Sequence, residues 1–323
     1  MRAIRFSAIG GPDVLALQEV SDPTPGPGQI LIRHAAIGVN FIDTYHRTGL
    51  YPLALPSGLG MEAAGRVEAV GDGVERFRVG DRVGYCTGPI GAYSEAACVA
   101  ADRAIAIPAG VSDALAAAGM LKGLTAQYLL KRTYPVKPGD RILVHAAAGG
   151  VGQILVQWAR ALGATVIAVV GSPAKAAVAH SLGAEHVIVQ STDNIAGRVR
   201  ALTGGEGVPV AYDSVGRDTF QATLESLAVR GVFVSFGNAS GPAPAVEPAL
   251  LSAKGGLYFT RPGLAHYTRT AIELQETADD FWDALQRGLV KIATPTEHPL
   301  AEAARAHEDL EARRTTGSLI LVP

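Results

Sequence analysis

The sequence predicts an α/β protein of two domains, a β-rich one followed by a doubly wound parallel sheet. Three observations carry that prediction. Residues 141–164 read as strand, small-residue turn and helix in immediate succession. Strand-like runs near Ile142, Val166, His186, Val210 and Val232 then alternate with helices beginning near Gly150, Pro173, Asn194 and Thr219. That rhythm belongs to a parallel sheet with helices on both faces. The length, 323 residues, accommodates two domains at the usual ~100–200 residues each.

The first third of the chain is punctuated by turns. Strand candidates at 1–6 and 30–34 flank a Pro/Gly-rich connection, and others follow at 65–70, 82–85 and 97–99. Such spacing suits a small, partly open barrel rather than a βαβ unit. Between strands, residues 38–49 form a polar and aromatic loop with a short helix, the most chemically loaded stretch of this half. Residues 114–121 are Ala-rich and helical, and 125–134 continue as helix up to Pro135. Beyond the alternating region come a sixth strand at 257–260, a long amphipathic helix over 267–288, and a terminal strand at 318–322 that returns to the first domain.

The turn after the strand at Ile142 has the spacing Ala146-x-x-Gly149-x-x-Gly152, with Ala in place of the first Gly of the common dinucleotide motif. Alone it reads either as a plain strand-to-helix turn or as a dinucleotide site. The next strand, at 165–170, follows the helix at once and favours the site, where the helix N-terminus would receive a pyrophosphate. An NAD site places Asp or Glu about 20 residues past this turn, on the ribose 2′-hydroxyl. Here the second strand ends Val169-Val170-Gly171-Ser172, without an acid, and Lys175 follows. Unless Lys175 is only a solvated helix lysine, these residues accept a 2′-phosphate and favour NADP over NAD; His180 reads as structural.

Composition excludes several classes. A formal net charge of −2 without a Lys/Arg run argues against nucleic acid as the main partner. There is no N-terminal signal pattern and no apolar run of ~18 residues, so the expected place is the cytoplasm and no membrane partner is expected. Cys86 and Cys98 read as buried or incidental thiols. No Cys/His spacing fits a metal, and His34, His46 and His145 read as surface or hydrogen-bonded residues. A Gly-x-Ser-x-Gly nucleophile turn is missing as well. Chemistry then falls to the cofactor, with the protein positioning and polarising an acceptor, which is a reductase reading.

Motifs along the whole chain resemble one family. The stretches are Ile37-Gly-Val-Asn-Phe-Ile-Asp-Thr-Tyr45, Gly49-Leu-Tyr51-Pro, Pro56-Ser-Gly-Leu-Gly60, Leu121-Lys-Gly-Leu-Thr125, Tyr212-Asp-Ser-Val-Gly216, Ser235-Phe-Gly-Asn-Ala-Ser-Gly241, Tyr258-Phe-Thr-Arg-Pro262 and Thr315-Thr-Gly-Ser-Leu. Together they resemble the zeta-crystallin-like NADPH:quinone oxidoreductases, in the zinc-free branch of the medium-chain dehydrogenase/reductase superfamily. The resemblance implies a GroES-like β-rich catalytic domain over residues 1–123 and 265–323 and a Rossmann-type NADPH-binding domain over 124–264. It also implies a homodimer joined through the Rossmann sheets. Zinc-dependent relatives have Cys where this chain has Asn40 and His where it has Met61, so no metal is expected.

The same resemblance implies the site, in the cleft between the two domains. Asn40, Asp43, Tyr45 and Tyr51 match the catalytic group, with Asn40 and Phe41 also beside the cofactor. Asn40 is expected to position the nicotinamide ribose. Tyr45 and Tyr51 are expected to line the quinone pocket and hydrogen-bond oxygens gaining charge, although by themselves they could simply cap a hydrophobic loop. Asp43 is expected to orient a neighbour rather than act as a general acid, since nothing in the sequence raises its pKa. Gly149, Gly150 and Val151 match the pyrophosphate turn, and Gly171, Ser172, Lys175 and Arg313 the 2′-phosphate pocket. Phe236, Gly237, Asn238, Gly263 and Leu264 match the segments holding the nicotinamide half, with Thr125 and Tyr128 on the same groove. Gln190 departs from the family, which often has Asn-Tyr there, and weaker NADPH affinity is expected. The implied activity is NADPH-dependent reduction of small soluble quinones. Alternatives are reduction of α,β-unsaturated aldehydes or ketones, a non-catalytic NADPH sensor, and an RNA-binding role that the charge balance disfavours.

Overall fold

In the computed structural model, residues 1–312 and 317–323 are described. The chain begins with β1 (Arg2–Phe6), β2 (Ala16–Glu19), β3 (Gln29–Val39), α1 (Phe41–Arg47) and β4 (Ser57–Gly58). β5 (Ala63–Val70), β6 (Arg82–Tyr85), β7 (Ala96–Ala100), β8 (Ile105–Ala106) and α2 (Asp113–Tyr128) follow. The alternating region comprises β9 (Arg141–Val144), α3 (Gly150–Ala161), β10 (Thr165–Val170), α4 (Pro173–Ser181), β11 (His186–Val189) and α5 (Ile195–Leu202). It continues through β12 (Val208–Asp213), α6 (Phe220–Ser226), β13 (Leu227–Ser235), α7 (Pro248–Ala253) and β14 (Tyr258–Thr260). α8 (Leu264–Tyr267), α9 (Ala271–Gln286), β15 (Thr296–Pro299), α10 (Ala303–Glu311) and β16 (Leu319–Val322) complete the described chain.

The chain divides into two compact units: Met1–Leu124, Thr268–Trp282 and Ile292–Pro323 form the first, Thr125–Tyr267 and Asp283–Lys291 the second. Asp283–Lys291, placed by the sequence reading in the β-rich domain, therefore packs with the other unit. Gln157 supplies a reason: its side chain accepts from Lys291 N–H (2.9 Å) and donates to Lys291 O (3.0 Å).

In the first unit β3 is the hub. Its eleven residues pair antiparallel with β5, β7 and β16, and alternating apolar side chains such as Ile30 and Ile32 enter a core with Ile4, Val67, Val83 and Val99. The terminal strand does return here, with Leu319 opposite Val39. Because Ile37 pairs with Ala63, the end of β3 and the start of β5 emerge together, which brings Asn40 and Glu62 side by side.

The second unit holds a parallel sheet in the order β11-β10-β9-β12-β13-β14. Two half-sheets thus run outward from β9 and β12, and the switch between them opens at the carboxyl ends of those strands. Both faces are covered, so Leu143, Ile167, Val169, Ala211 and Phe233 are all buried. α3 turns Ile154, Leu155, Trp158 and Ala159 inward, the face its spacing predicts.

Two expected helices differ. The helix expected to run on over 125–134 ends as α2 at Tyr128 and gives way to a π-helical turn, Leu129–Thr133. The long helix expected over 267–288 begins only at Ala271, as α9, after the short α8 ends at Tyr267. Thr270 and Glu273 make the break: Thr270 Oγ1 accepts from Glu273 N–H (3.1 Å), while the Glu273 carboxylate accepts from the N–H groups of Arg269 (2.8 Å) and Thr270 (3.3 Å). This reciprocal cap starts a new helix.

Candidate active site

The second unit offers a glycine turn at the end of β9. Ala146 takes φ = 48°, the left-handed region, where the common motif has its first Gly. For alanine that conformation costs roughly 1–2 kcal/mol. Ala147 N–H donates to Val169 O (3.0 Å), tying the turn to β10. Gly149 caps α3 and is exposed. Gly152 is required, since a Cβ there would stand 2.2 Å from Ala146 O and 2.8 Å from Ala147 Cα. The N-terminal amides of a twelve-residue helix, including those of Gly150 and Val151, thus begin beside a turn stripped of side-chain bulk. Such an end favours an anion.

One strand over, β10 runs into exposed Gly171, where a Cβ would meet nothing within 4 Å. Ser172 is the N-cap of α4 and Lys175 lies in its first turn, half-buried. Gln190 N–H donates to Val170 O (2.8 Å), which sets Gln190 beside this tip. A strand end without an acid over residues 169–175, a lysine and a helix start fit a phosphorylated ribose. Arg313, the second expected cation, lies outside the described residues.

The segments expected to hold a nicotinamide follow β13 and β14. Phe236 N–H donates to Asp213 O (2.8 Å), and Gly237 backs so closely on Ser214 that a Cβ would come within 2.4 Å of its carbonyl. The Asn238 amide donates to Gly237 O (2.9 Å) and accepts from Arg261 Nη2 (3.1 Å), while Arg261 Nη1 donates to Gly237 O (3.1 Å). Gly263 precedes α8, which Leu264 opens. Thr125 is half-buried on the last turns of α2, and Tyr128 is buried, stacked on Tyr267 with centroids 4.5 Å apart. Behind the switch point the Asp213 carboxylate accepts from Val215 N–H (2.7 Å), Gly216 N–H (3.0 Å), Thr219 Oγ1 (2.7 Å) and Thr223 Oγ1 (3.0 Å). His145, buried at the end of β9, bonds Thr223 Oγ1 (3.0 Å). That network holds the motif 212–216 against the glycine turn.

The first unit places the remaining candidates around α1. Asn40 N–H donates to Asp43 Oδ2 (2.8 Å), closing the first turn. Asn40 Nδ2 donates to Glu62 Oε2 (2.7 Å), and Lys122 Nζ donates to Asn40 Oδ1 (2.8 Å). Tyr45 and Tyr51 meet edge to face with centroids 5.3 Å apart, and Phe41 lies 6.4 Å from Tyr45. Tyr51 N–H donates to Tyr45 O (3.0 Å), so the two rings form one aromatic wall.

For Asp43 the structure changes one premise, an unraised pKa, and leaves its expected role as a positioning group untouched. Asp43 is fully buried, and burial pushes its carboxyl up to about 7, against the weaker opposing pull of Asn40 N–H and Tyr93. Residue-by-residue reading of the sequence also missed Glu62, Lys122, Tyr93, Arg47 and His307. Tyr93 donates to Asp43 Oδ2 (3.0 Å) and meets His307 Nε2 (3.0 Å), whose Nδ1 faces Arg47 Nη1 (3.1 Å). Two of these left a signal: Glu62 and Lys122 are single charges in otherwise apolar runs, and such charges are buried only with partners. Burial raises the Glu62 carboxyl and lowers the Lys122 ammonium, while each opposes the shift of the other. Among the described residues no group of three or more His, Cys, Asp or Glu is placed to hold a metal.

Comparison with known proteins agrees with this geometry. Residues 26–109 match the alcohol dehydrogenase GroES-like domain, and residues 150–274 match the zinc-binding dehydrogenase family. The chain is 53% identical to a quinone oxidoreductase of Pseudomonas aeruginosa, over 100% of this chain and 99% of that one. It is 47% identical to a 2-haloacrylate reductase of a Burkholderia species, covering 97% of this chain and 96% of the other. The crystal structure of Escherichia coli quinone oxidoreductase complexed with NADPH superposes with a TM-score of 0.98 at 47% identity, covering 100% of both chains. With the fold, the glycine turn and full-length identity in agreement, this chain belongs to the quinone oxidoreductase family.

Proposed function

We propose that this protein is an NADPH-dependent, zinc-independent reductase of small quinones. Full-length identity to quinone oxidoreductases, one of them solved with NADPH, carries the reading, and the acid-free tip of β10 supports the phosphate preference independently. When bound, NADPH supplies the hydride. The chain's own residues do the rest. Gly149, Gly150 and Val151 would hold the pyrophosphate and Gly171, Ser172, Lys175 and Arg313 the 2′-phosphate, with Gln190 beside them. Phe236, Gly237, Asn238, Gly263 and Leu264 would seat the nicotinamide half, bordered by Thr125 and Tyr128. Asn40 would hold the ribose next to Phe41, and the Tyr45 and Tyr51 hydroxyls would donate to quinone oxygens as they gain charge. Asp43 acts inside the fold, orienting Asn40 through its backbone N–H. The Lys122 side chain, 2.8 Å from Asn40 Oδ1, supports the zinc-independent reading, because its ammonium disfavours a cation placed there.

A homodimer joined through the second unit's sheets belongs to the same proposal, since β14 is an edge strand and Tyr258 on it is 62% exposed. No helix among the described residues is long and apolar enough to cross a membrane, and both cysteines are free; a cytoplasmic location is proposed on that basis.

The identity to a 2-haloacrylate reductase favours a second reading, hydride delivery to an activated double bond. NADPH oxidation at 340 nm, followed with 1,4-benzoquinone, an enone and 2-chloroacrylate and repeated with NADH, decides between them. The expected outcome is turnover of benzoquinone above both alkenes, with strong preference for NADPH. Faster turnover of an alkene would replace the first reading by the second, and binding without turnover would point to a sensor.

A further inference from the structure

Lys122 is buried in α2, and its contacts belong to the candidate site: Asn40 Oδ1 at 2.8 Å and Glu62 Oε2 at 3.9 Å. Glu62 is itself seated from two further sides. Its Oε1 accepts from Leu121 N–H (2.6 Å), and its carboxylate lies so near β3 that a Cβ on Gly38 would come within 2.2 Å of Oε2.

We propose that Lys122, seated by Glu62, is a positioning residue that locks the Asn40 amide in a single orientation for the reaction. The inference rests on the reading above, in which Asn40 touches the cofactor. A primary amide presents an oxygen that accepts and a nitrogen that donates, and either face can point to a given neighbour. Here the ammonium can only donate and the ionised carboxylate can only accept. Turning the amide over would bring Nδ2 to within 2.8 Å of Lys122 Nζ and Oδ1 to within 2.7 Å of Glu62 Oε2, two repulsive contacts in a buried site. The oxygen is therefore fixed inward. Glu62 engages one of the two N–H groups, and the other is the donor that Asn40 offers to its ligand. The ammonium also draws electron density from the amide through Oδ1, which strengthens that donor.

A purely structural ion pair would behave differently from a pair that acts through Asn40. Lys122→Met/Glu62→Gln removes both charges together and so strands neither in the interior. Melting temperature, NADPH affinity and steady-state kinetics with 1,4-benzoquinone are measured for it, for Asn40→Ala and for the triple variant. The expected result is a wild-type melting temperature, a kcat lower by about tenfold with KM changed less than about threefold, and no further loss in the Asn40→Ala background. Wild-type kcat in the folded charge-free variant, or a loss that multiplies in full with Asn40→Ala, overturns the inference. If that variant does not fold, Lys122→Gln, which still donates to Asn40 Oδ1, is compared with Lys122→Met. Rescue of kcat by Gln supports the positioning role, and equal loss overturns it. Unchanged turnover in Asn40→Ala would remove the site assignment itself, and this inference with it.

Discussion

Asp43 closes the first turn of α1 by accepting Asn40 N–H and also accepts the Tyr93 hydroxyl, yet it lies wholly inside the fold. The hydrogen bonds around it have only one consistent direction. Arg47 can only donate, so His307 Nδ1 accepts, its Nε2–H donates to Tyr93 Oη, and Tyr93 donates to Asp43. That tautomer requires neutral His307, and burial with Arg47 nearby pushes its pKa down to about 3. For Asp43 the sign is opposite. Its pKa rises from 3.8 to about 7 on folding, so its contribution to stability is complete below about pH 4 and is lost as pH climbs through about 7. The melting temperature of wild type should therefore exceed that of Asp43→Asn most at pH 4, with the gap narrowing toward pH 7. Scanning fluorimetry at pH 4, 5.5 and 7 checks this, and a gap that widens with pH contradicts it. His307 and His34, the latter pushed down to about 4 by burial, contribute stability that is lost as pH falls; they are present in both proteins and largely cancel.

Among the elements, α3 depends on one glycine. Gly152 lets the helix start against the backbone of Ala146 and Ala147, the packing that presents its first amides beside the turn. Gly152→Ala forces α3 away from β9, because the contacted atoms are backbone and cannot swing aside. NADPH affinity is expected to fall by about tenfold or more, read by fluorescence titration, with a stability loss of about 1–3 kcal/mol from overpacking. Unaltered affinity would show that the helix start does not hold the cofactor. The break between α8 and α9 was legible as Thr270-x-x-Glu273, although hydrophobic periodicity alone ran through it. α7 and α10 also left local signals, Pro248 in the first turn of one and the i, i+3, i+4 spacing of Ala303, Ala306 and His307 in the other, whereas β15 had none. β15 has little apolar alternation of its own and exists because β16 offers it a parallel partner.

For the whole molecule, a net charge of −2 leaves local cations to decide what the protein attracts. The tip of β10 combines Lys175 with the start of α4 and contains no acid. Lys175→Ala should reduce the preference for NADPH over NADH by about tenfold, or ~1.4 kcal/mol. The reduction should shrink as salt is raised, since the Debye length falls from about 10 Å at 0.1 M to about 3 Å at 1 M. kcat/KM for both cofactors at two ionic strengths tests it, and an undiminished preference would move the discrimination to other residues.

The sequence by itself determined the alternation of strands and helices from β9 to β13, the glycine turn and the absence of an acid directly after β10. Each of these is written in neighbouring residues, through periodicity, turn chemistry and spacing. The matched motifs also named Asn40, Asp43, Tyr45 and Tyr51 without their surroundings. Only the tertiary structure decided those surroundings. Lys122 reaches Asn40 across eighty-two positions and His307 reaches Tyr93 across two hundred and fourteen. Strand register adds Glu62 to the first of these meetings, because Ile37 opposite Ala63 places Glu62 beside Asn40. Burial then raises the Asp43 carboxyl, lowers the Lys122 ammonium and leaves the Asn40 amide one orientation, because charge and hydrogen-bond polarity weigh far more where water is excluded.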